Sequence, residues 1–234
     1  MTHPRLHDTP AAAIGERVRA CVAVGSRTFH FDRPAALDKL FDHPAVRAAY
    51  AADDYIPYWA DLWPAARMLA EAVLKEPWED YPGDRPLRAL ELGCGLGLSG
   101  IAALSAGLHV TFSDIDEAAA RMAGENATLN GFTDFDTAGY DLRSPPAGVT
   151  FPVILGADVM YEVRMTEPLV AFLDAVLAPD GVALIADPDR LSARPFHSLL
   201  ARNGFAVRLT KAKVGERGAR TKGYVYRVTR RADE

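Results

Sequence analysis

The run LRALELGCGLG, residues 87–97, decides how this chain folds. A short apolar stretch carrying one carboxylate, Glu91, ends in glycines at 93, 95 and 97. The pattern reads as a buried strand that runs into a turn where backbone must come close to a ligand without a Cβ in the way. Ligands of open parallel sheets lie beyond the carboxyl ends of the strands, so the turn after strand 88–92 is the predicted binding place.

Downstream of this turn the chain alternates regularly. Helical spacing from about 97 to 106 is followed by a strand at 108–113, a helix at 116–129 and a weak strand near 135–140. Then come a strand at 152–157, a helix at 165–177, a strand at 181–186 and a helix at 192–203. Such alternation predicts right-handed crossovers and a parallel sheet with helices on both faces. The last two strand-like runs, FAVRLTKAKV and GYVYRVTRR, break the rule. Only the short linker GERGARTK joins them, so they should pair antiparallel. The fold class is therefore α/β: a Rossmann-like seven-stranded sheet, mostly parallel with a C-terminal antiparallel strand.

Upstream, residues 1–15 are polar and read as a loose tail. RACVAVGSRTFHFDRP alternates on either side of Gly25-Ser26 and predicts a β-hairpin. From Pro64, the residues Ala65, Met68, Leu69, Ala72 and Val73 repeat at helical spacing with proline in the first turn. The proline-rich EPWEDYPGDRP ends that helix. Two regions are expected: an N-terminal tail and hairpin extension over 1–57 and the main domain over 58–234.

The 234 residues are 49% hydrophobic and 24% charged, an ordinary globular composition with enough chain for one substantial core. No basic-apolar leader and no apolar run of about 18 residues occurs, so a soluble protein without a membrane span is expected. Two distant cysteines, Cys21 and Cys94, fit a reducing, cytoplasmic compartment. The six histidines show no metal-ligand spacing, and no metal is expected. The net charge of −5 is uneven. From Arg208 to the C-terminus nine basic residues face three acidic ones, which leaves that segment at +6 and the rest at −11. One reading is a sheet edge protected by lysine and arginine; the other is a patch that steers an acidic partner. Aromatic residues do not interleave most of the basic run, so nucleic acid is not the favoured partner.

Two ligands compete for the turn. GLGLSG, Gly95–Gly100, matches the dinucleotide fingerprint, with Asp114 near the position of its ribose-binding acid. Gly93 already closes the strand's own turn, however, so Gly95 is displaced by two residues. An ionised Glu91 would repel a pyrophosphate by about 4 kcal/mol per charge pair at 4 Å and an effective dielectric of 20. The same carboxylate suits the α-ammonium of S-adenosylmethionine, which has no phosphate. Asp114 can accept both ribose hydroxyls; its alternative role is a cap for the helix starting near 116.

At these residues the sequence resembles the seven-strand S-adenosylmethionine-dependent methyltransferases, whose sheet ends in an antiparallel hairpin. LGADVMYE, residues 155–162, is similar to the Asp-x-x-Tyr motif of the branch of protein-lysine methyltransferases that modify chaperones, elongation factors and the electron-transfer flavoprotein. YWADLWPAARMLAEAVL resembles the tryptophan-bearing helix of that branch. The resemblance covers about residues 55–230. It implies a cofactor site made by Trp63, Glu91, Gly93, Cys94, Gly95, Gly97, Asp114, Ile115 and Ala157, with Asp158 and Tyr161 facing the acceptor. Many members place a tryptophan against adenine after the third strand; here GYDLRSPP offers Leu142 as an apolar lid and Asp141 near the adenine amino group. Trp59 and Trp63, four apart, have the alternative of packing as core on one helix face. For Tyr161 the alternative is a packed aromatic with a wet hydroxyl.

The resemblance implies methyl transfer to a protein lysine; a small-molecule N-methyltransferase acting on a nicotinamide-type or other amine is the alternative. The chain is expected to act as a monomer, with the protein substrate docked near the basic C-terminal hairpin. A lysine acceptor must lose a proton, at a cost of about 4 kcal/mol at neutral pH. Asp158 cannot lower that pKa, because a nearby negative charge stabilises the ammonium. Its implied role is capture and orientation, while the sulfonium and desolvation by Tyr161 and the tryptophans favour the neutral amine.

Overall fold

The computed structural model describes residues 6–83, 86–215 and 220–231. A short helix α1 (Ala11–Ile14) leads into the hairpin β1 (Arg17–Val24) and β2 (Arg27–Pro34), which turns at Gly25-Ser26 as its alternation predicts. Helices α2 (Leu37–Asp42), α3 (Pro44–Asp53) and α4 (Pro64–Val73) follow. Pro64 occupies the first turn of α4, where its missing N–H costs nothing. Then come β3 (Arg88–Leu92), α5 (Leu98–Ser105), β4 (His109–Asp114), α6 (Glu117–Leu129) and β5 (Asp136–Gly139). The chain continues through β6 (Phe151–Ala157), α7 (Thr166–Val176), β7 (Leu177–Asp187) and α8 (Phe196–Arg202) to β8 (Phe205–Val214) and β9 (Thr221–Arg230).

The main sheet has seven strands in the order β5-β4-β3-β6-β7-β9-β8. All pairings from β5 to β7 are parallel, and β9 inserts antiparallel between β7 and β8. From β3 the chain winds outward to β5 and then returns to β6 on the other side of β3. That reversal opens a crevice at the carboxyl ends of β3 and β6, the switch point where such sheets bind ligands. Because β9 runs against β7, with Tyr224 opposite Asp187, the turn end of the basic hairpin projects from this same edge.

Strand residues alternate between two core layers. Ala89, Val153, Leu155, Val182 and Leu184 pack with α4, α5 and α6, whereas Leu90, Ile154, Ala183 and Ile185 pack with α7 and α8. Val22, Val24, Phe29 and Phe31 of the hairpin join the first layer. Asn126 of α6, fully buried, ties the hairpin to the glycine turn: its Oδ1 accepts from Asp32 N at 2.8 Å, and its Nδ2 donates to the carbonyls of Asp32 and Leu96.

Three local expectations are corrected. Residues 6–15 are not loose: His7 N donates to Ile115 O at 2.8 Å, Glu117 N donates to His7 O, and Thr9 bonds to Asp116. Strand 7 starts at Leu177, not 181, because Leu177 pairs with Phe151 before a register shift accommodates the Pro179-containing bulge. The helix expected from 192 splits into a 3-10 turn, Leu191–Ala193, and α8, with Pro195 at the junction as N-cap. Proline's fixed φ and absent N–H suit a helix start and not its interior.

Candidate active site

A cavity of about 420 Å³ opens at the switch point, within the range that holds a cofactor-sized ligand. Every site residue named from the sequence lines it: Trp63, Glu91, Gly93, Cys94, Gly95, Gly97, Asp114, Ile115, Asp141, Leu142, Ala157, Asp158 and Tyr161. The charged groups in its wall are six carboxylates, of Asp61, Glu91, Asp114, Asp141, Asp158 and Glu162, and one guanidinium, of Arg190. Such a wall favours a cationic ligand and opposes a pyrophosphate.

The glycine turn is built by backbone needs. Gly93, Gly95 and Gly97 have φ of +58°, +51° and +86°, a region L side chains rarely enter. A Cβ on Gly95 would also lie 3.2 Å from the Trp59 carbonyl, and one on Gly97 would lie 2.9 Å from Ala123 Cβ. These glycines are therefore required by the turn and its packing before any ligand arrives. Cys94 N donates to Ser113 O and Gly97 N to Cys94 O, which fixes the loop. The Cys94 thiol is buried, and burial holds its pKa well above the usual thiol value, so it packs and does not react.

Asp114 closes β4 and points at the turn. Its Oδ2 accepts from Gly95 N at 3.0 Å and its Oδ1 from Asp116 N at 3.1 Å. The capping alternative falls away, since α6 is capped by Asp116, whose side chain accepts from Ala118 N. Burial pushes Asp114 up to about 6, although those amides favour its anion.

Glu91 is 2% exposed and its Oε2 has no hydrogen-bond partner among the described residues. It faces α5, with Ser99 and Gly100 of the first helical turn close enough to favour its anion, yet burial dominates and pushes the carboxyl up to about 8. A lone Glu91 is therefore mostly protonated at pH 7, which weakens the pyrophosphate repulsion expected from it; Asp61 and Asp114, the wall carboxylates with no guanidinium partner among the described residues, carry that argument instead. The orphaned oxygen, the acid-rich wall and the rigid glycine turn fit a ligand that is cationic and bears a ribose, as S-adenosylmethionine does.

This chemistry has a pH signature. A carboxyl raised from 4.5 to about 8 in the folded chain stabilises that chain below pH 4.5, and the contribution is lost as pH rises through 8. A bound ammonium would restore the anion. Calorimetry at pH 7 in buffers of different ionisation enthalpy should then show close to one proton released per S-adenosylmethionine bound, and none for Glu91→Gln. Equal release from both proteins would remove Glu91 from the ligand's surroundings.

At the acceptor end the structure departs from the implied free carboxylate. Asp158 follows β6 with φ of +56°, its N–H donating to Ala186 O at 2.9 Å. Both its oxygens are held by Arg190, at 2.6 Å from Nε and 2.7 Å from Nη2. Asp158 thus meets the cavity already paired. Arg190 N in turn donates to Asp187 Oδ1 at 2.7 Å. Tyr161 is half-exposed and stands edge-on to Tyr58, with centroids 5.8 Å apart. Trp63 lies across Tyr58 at 6.1 Å and donates from its indole to Tyr58 O at 2.7 Å. Trp59 and Trp63 do not share a helix face: Trp59 sits buried in a 3-10 turn, Tyr58–Ala60, and Trp63 is the N-cap of α4. Asp141 also lines the cavity with its carboxylate engaged, forked by Arg143 at 2.7 to 3.0 Å. Leu142 and Tyr140 lie beside it.

Arg190, Tyr58, Tyr55 and Tyr140 were missed from the sequence. The only signal for Arg190 is DPDR, residues 187–190, a charged run at the carboxyl end of a strand, where ligands are expected. A second, more open cavity shares Trp63, Tyr161 and Arg190 with the first and is completed by Pro64, Pro188, Asp189, Leu191 and Ser192.

Residues 58–198 match the lysine methyltransferase family. This chain belongs to that family. It is 32% identical over 136 residues to the electron transfer flavoprotein beta subunit lysine methyltransferase of Xenopus laevis, covering 57% of this chain and 53% of that protein. It is 34% identical over 164 residues to the ribosomal protein L11 methyltransferase of a Synechococcus strain, covering 69% and 47%. The chain thus spans about half the length of the curated relatives it matches. Among solved structures it superposes on the ribosomal protein L11 methylase of Lactobacillus delbrueckii with a TM-score of 0.55 at 23% identity, covering 72% of this chain and 79% of that one. The magnesium protoporphyrin IX methyltransferase of Synechocystis gives the same score at 18% identity, covering 83% and 99%. These likenesses concern the fold.

Proposed function

We propose that this chain transfers a methyl group from S-adenosylmethionine to the side-chain amine of a lysine on a protein substrate. The observation that carries the reading is the acid-lined cavity at the switch point, which shares Trp63, Tyr161 and Arg190 with an outer groove. Family membership and the two lysine- or ribosomal-protein-modifying relatives point the same way. When bound, S-adenosylmethionine supplies an electrophilic methyl carbon on a sulfonium. The lone pair of the acceptor amine forms the new N–C bond as the C–S bond breaks, and the methylated ammonium then returns its proton to solvent. No covalent nucleophile on the chain is needed. The residues serve alignment and water exclusion: the glycine turn and Asp114 fix the ligand, while Tyr58, Trp63 and Tyr161 wall the acceptor's path.

Incubating the protein with methyl-labelled S-adenosylmethionine and a cell extract should place label in one or a few proteins, on lysine by mass spectrometry. Label confined to small molecules would overturn the protein substrate and promote an N-methyltransferase of small amines.

The basic hairpin is the proposed dock for an acidic surface of that protein. Lys211, Lys213 and Arg220 are exposed or half-exposed near the end that projects from the cavity's edge; Arg217 lies outside the described residues. Neutralising all four is expected to raise KM for the protein substrate several-fold, and the effect should shrink with added salt because exposed charges are screened within about 8 Å at physiological ionic strength. An unchanged KM would reduce the segment to a solvated sheet edge.

A further inference from the structure

The junction between the two cavities holds an arrangement that methyl transfer by itself does not explain. Asp158 and Asp187 end the neighbouring strands β6 and β7, whose last pair is Ala157 and Ala186. The side chain of Asp158 is 8% exposed, and Asp187 is fully buried with its Oδ2 unpartnered. A single residue, Arg190, serves both: its guanidinium fork closes on Asp158 and its backbone N–H donates to Asp187 Oδ1. Arg190 keeps 37% of its side chain exposed, and it lines the inner and the outer cavity alike. Arg190 therefore stands where the two cavities share a wall.

Resting on the proposed methyl transfer to an amine, we propose that Arg190 is a positioning residue that discharges Asp158, so that the carboxylate where the two cavities meet is not free to hold an ammonium and the amine arrives neutral. A free Asp158 would hold the acceptor as an ammonium, whose nitrogen has no lone pair to attack with. Bidentate pairing uses the strongest acceptor sites of the carboxylate and fixes its plane. It also holds in place the left-handed backbone of Asp158, which an unbraced aspartate adopts only at some cost. The pair selects at this one point: a lysine passes Asp158 as an amine, and a permanently charged quaternary ammonium gains no free anion there.

The other ionisable groups around the junction are Asp187, Asp189, Tyr58 and Tyr161, the cavity carboxylates Asp61 and Glu162, and Tyr224 and Tyr226 on the adjacent β9. Glu162 is paired with Arg164. Asp187 also senses the Arg190 charge, so the shift must persist when Asp187→Asn is combined with Arg190→Gln for the change in pH dependence to read the Asp158 pair itself.

The test is the pH profile of the initial rate at which methyl label passes from S-adenosylmethionine into the proteins of a cell extract, with S-adenosylhomocysteine affinity measured by calorimetry on each variant. Arg190→Gln should move the acidic limb upward by about one pH unit, a roughly tenfold loss of rate below the limb that is recovered above it. Its S-adenosylhomocysteine affinity should stay within threefold of wild type. Arg190→Lys keeps the charge and should leave the limb in place, whatever it costs in amplitude. A uniform loss at every pH, or an unmoved limb in Arg190→Gln, overturns the proposal. Should Arg190→Gln not fold, Asp158→Asn reads the pair from the other side: the cation is then uncompensated, and the limb must move to lower pH or the proposal fails. Wild-type protein that transfers no label to any amine would sink the methyltransferase reading itself, whereas transfer with an unmoved limb sinks only the role of Arg190.

Discussion

Replacing Asp114 with alanine is expected to weaken S-adenosylmethionine and S-adenosylhomocysteine binding at least a hundredfold while the sheet stays folded. Each carboxylate oxygen is already oriented by one backbone amide, from Gly95 and from Asp116, and each keeps a lone pair for the cavity. Two ribose hydroxyls would each donate a hydrogen bond to a charged acceptor, together worth about 3 kcal/mol, which is roughly a factor of 100 in affinity. Asp114→Asn keeps the shape and one acceptor oxygen, and should lose about tenfold. Calorimetry gives the affinities, and circular dichroism checks the fold. An alanine variant that binds within fivefold of wild type would take Asp114 out of the ligand site.

Asp116→Ala should cost stability, by about 4 kcal/mol. The carboxylate is fully buried and gathers donors from three stretches of chain. Its Oδ1 accepts from Thr9 N at 3.0 Å and Ala118 N at 2.9 Å; its Oδ2 accepts from the Trp59 indole at 3.0 Å and from the hydroxyls of Tyr55 and Thr9. Losing the helix cap costs about 1 kcal/mol, and each buried donor left unpaired costs about 1 kcal/mol or more. For a chain of this length the sum lowers the melting temperature by about 10 °C. Because Trp59 O also abuts Gly95, the loosened N-terminal segment should slacken the glycine turn and weaken cofactor binding. Urea denaturation measures the loss; a change under 1 kcal/mol would mean that the segment 6–15 is not anchored there.

The parallel body of the sheet and its antiparallel end were legible because hydrophobic period and turn chemistry are local. The central strands β3, β4, β6 and β7 bury both faces, and the missing helix between the last two strands forces them antiparallel. The glycine turn and Asp114 were legible for the same reason: a strand end, a turn and a strand end are short, contiguous and chemically distinctive. Boundaries moved where pairing overrode propensity, as at Leu177, whose partner Phe151 lies 26 positions earlier in the chain.

What the sequence by itself determined is therefore the architecture, the place of the cavity and a part of its lining, from which Arg190 and three tyrosines were missing. What only the tertiary structure decided is the electrostatic state of those residues. Glu91 reads as an anion in the sequence, but burial against α5 favours its neutral form. Asp158 reads as a free acid, but Arg190, 32 positions away, closes on it. Asp116 reads as one polar residue among several, yet it binds the N-terminal segment, Tyr55 and Trp59 at one point. Charge, desolvation and hydrogen bonding depend on distances of a few ångströms between residues remote in sequence, and no local pattern encodes those distances.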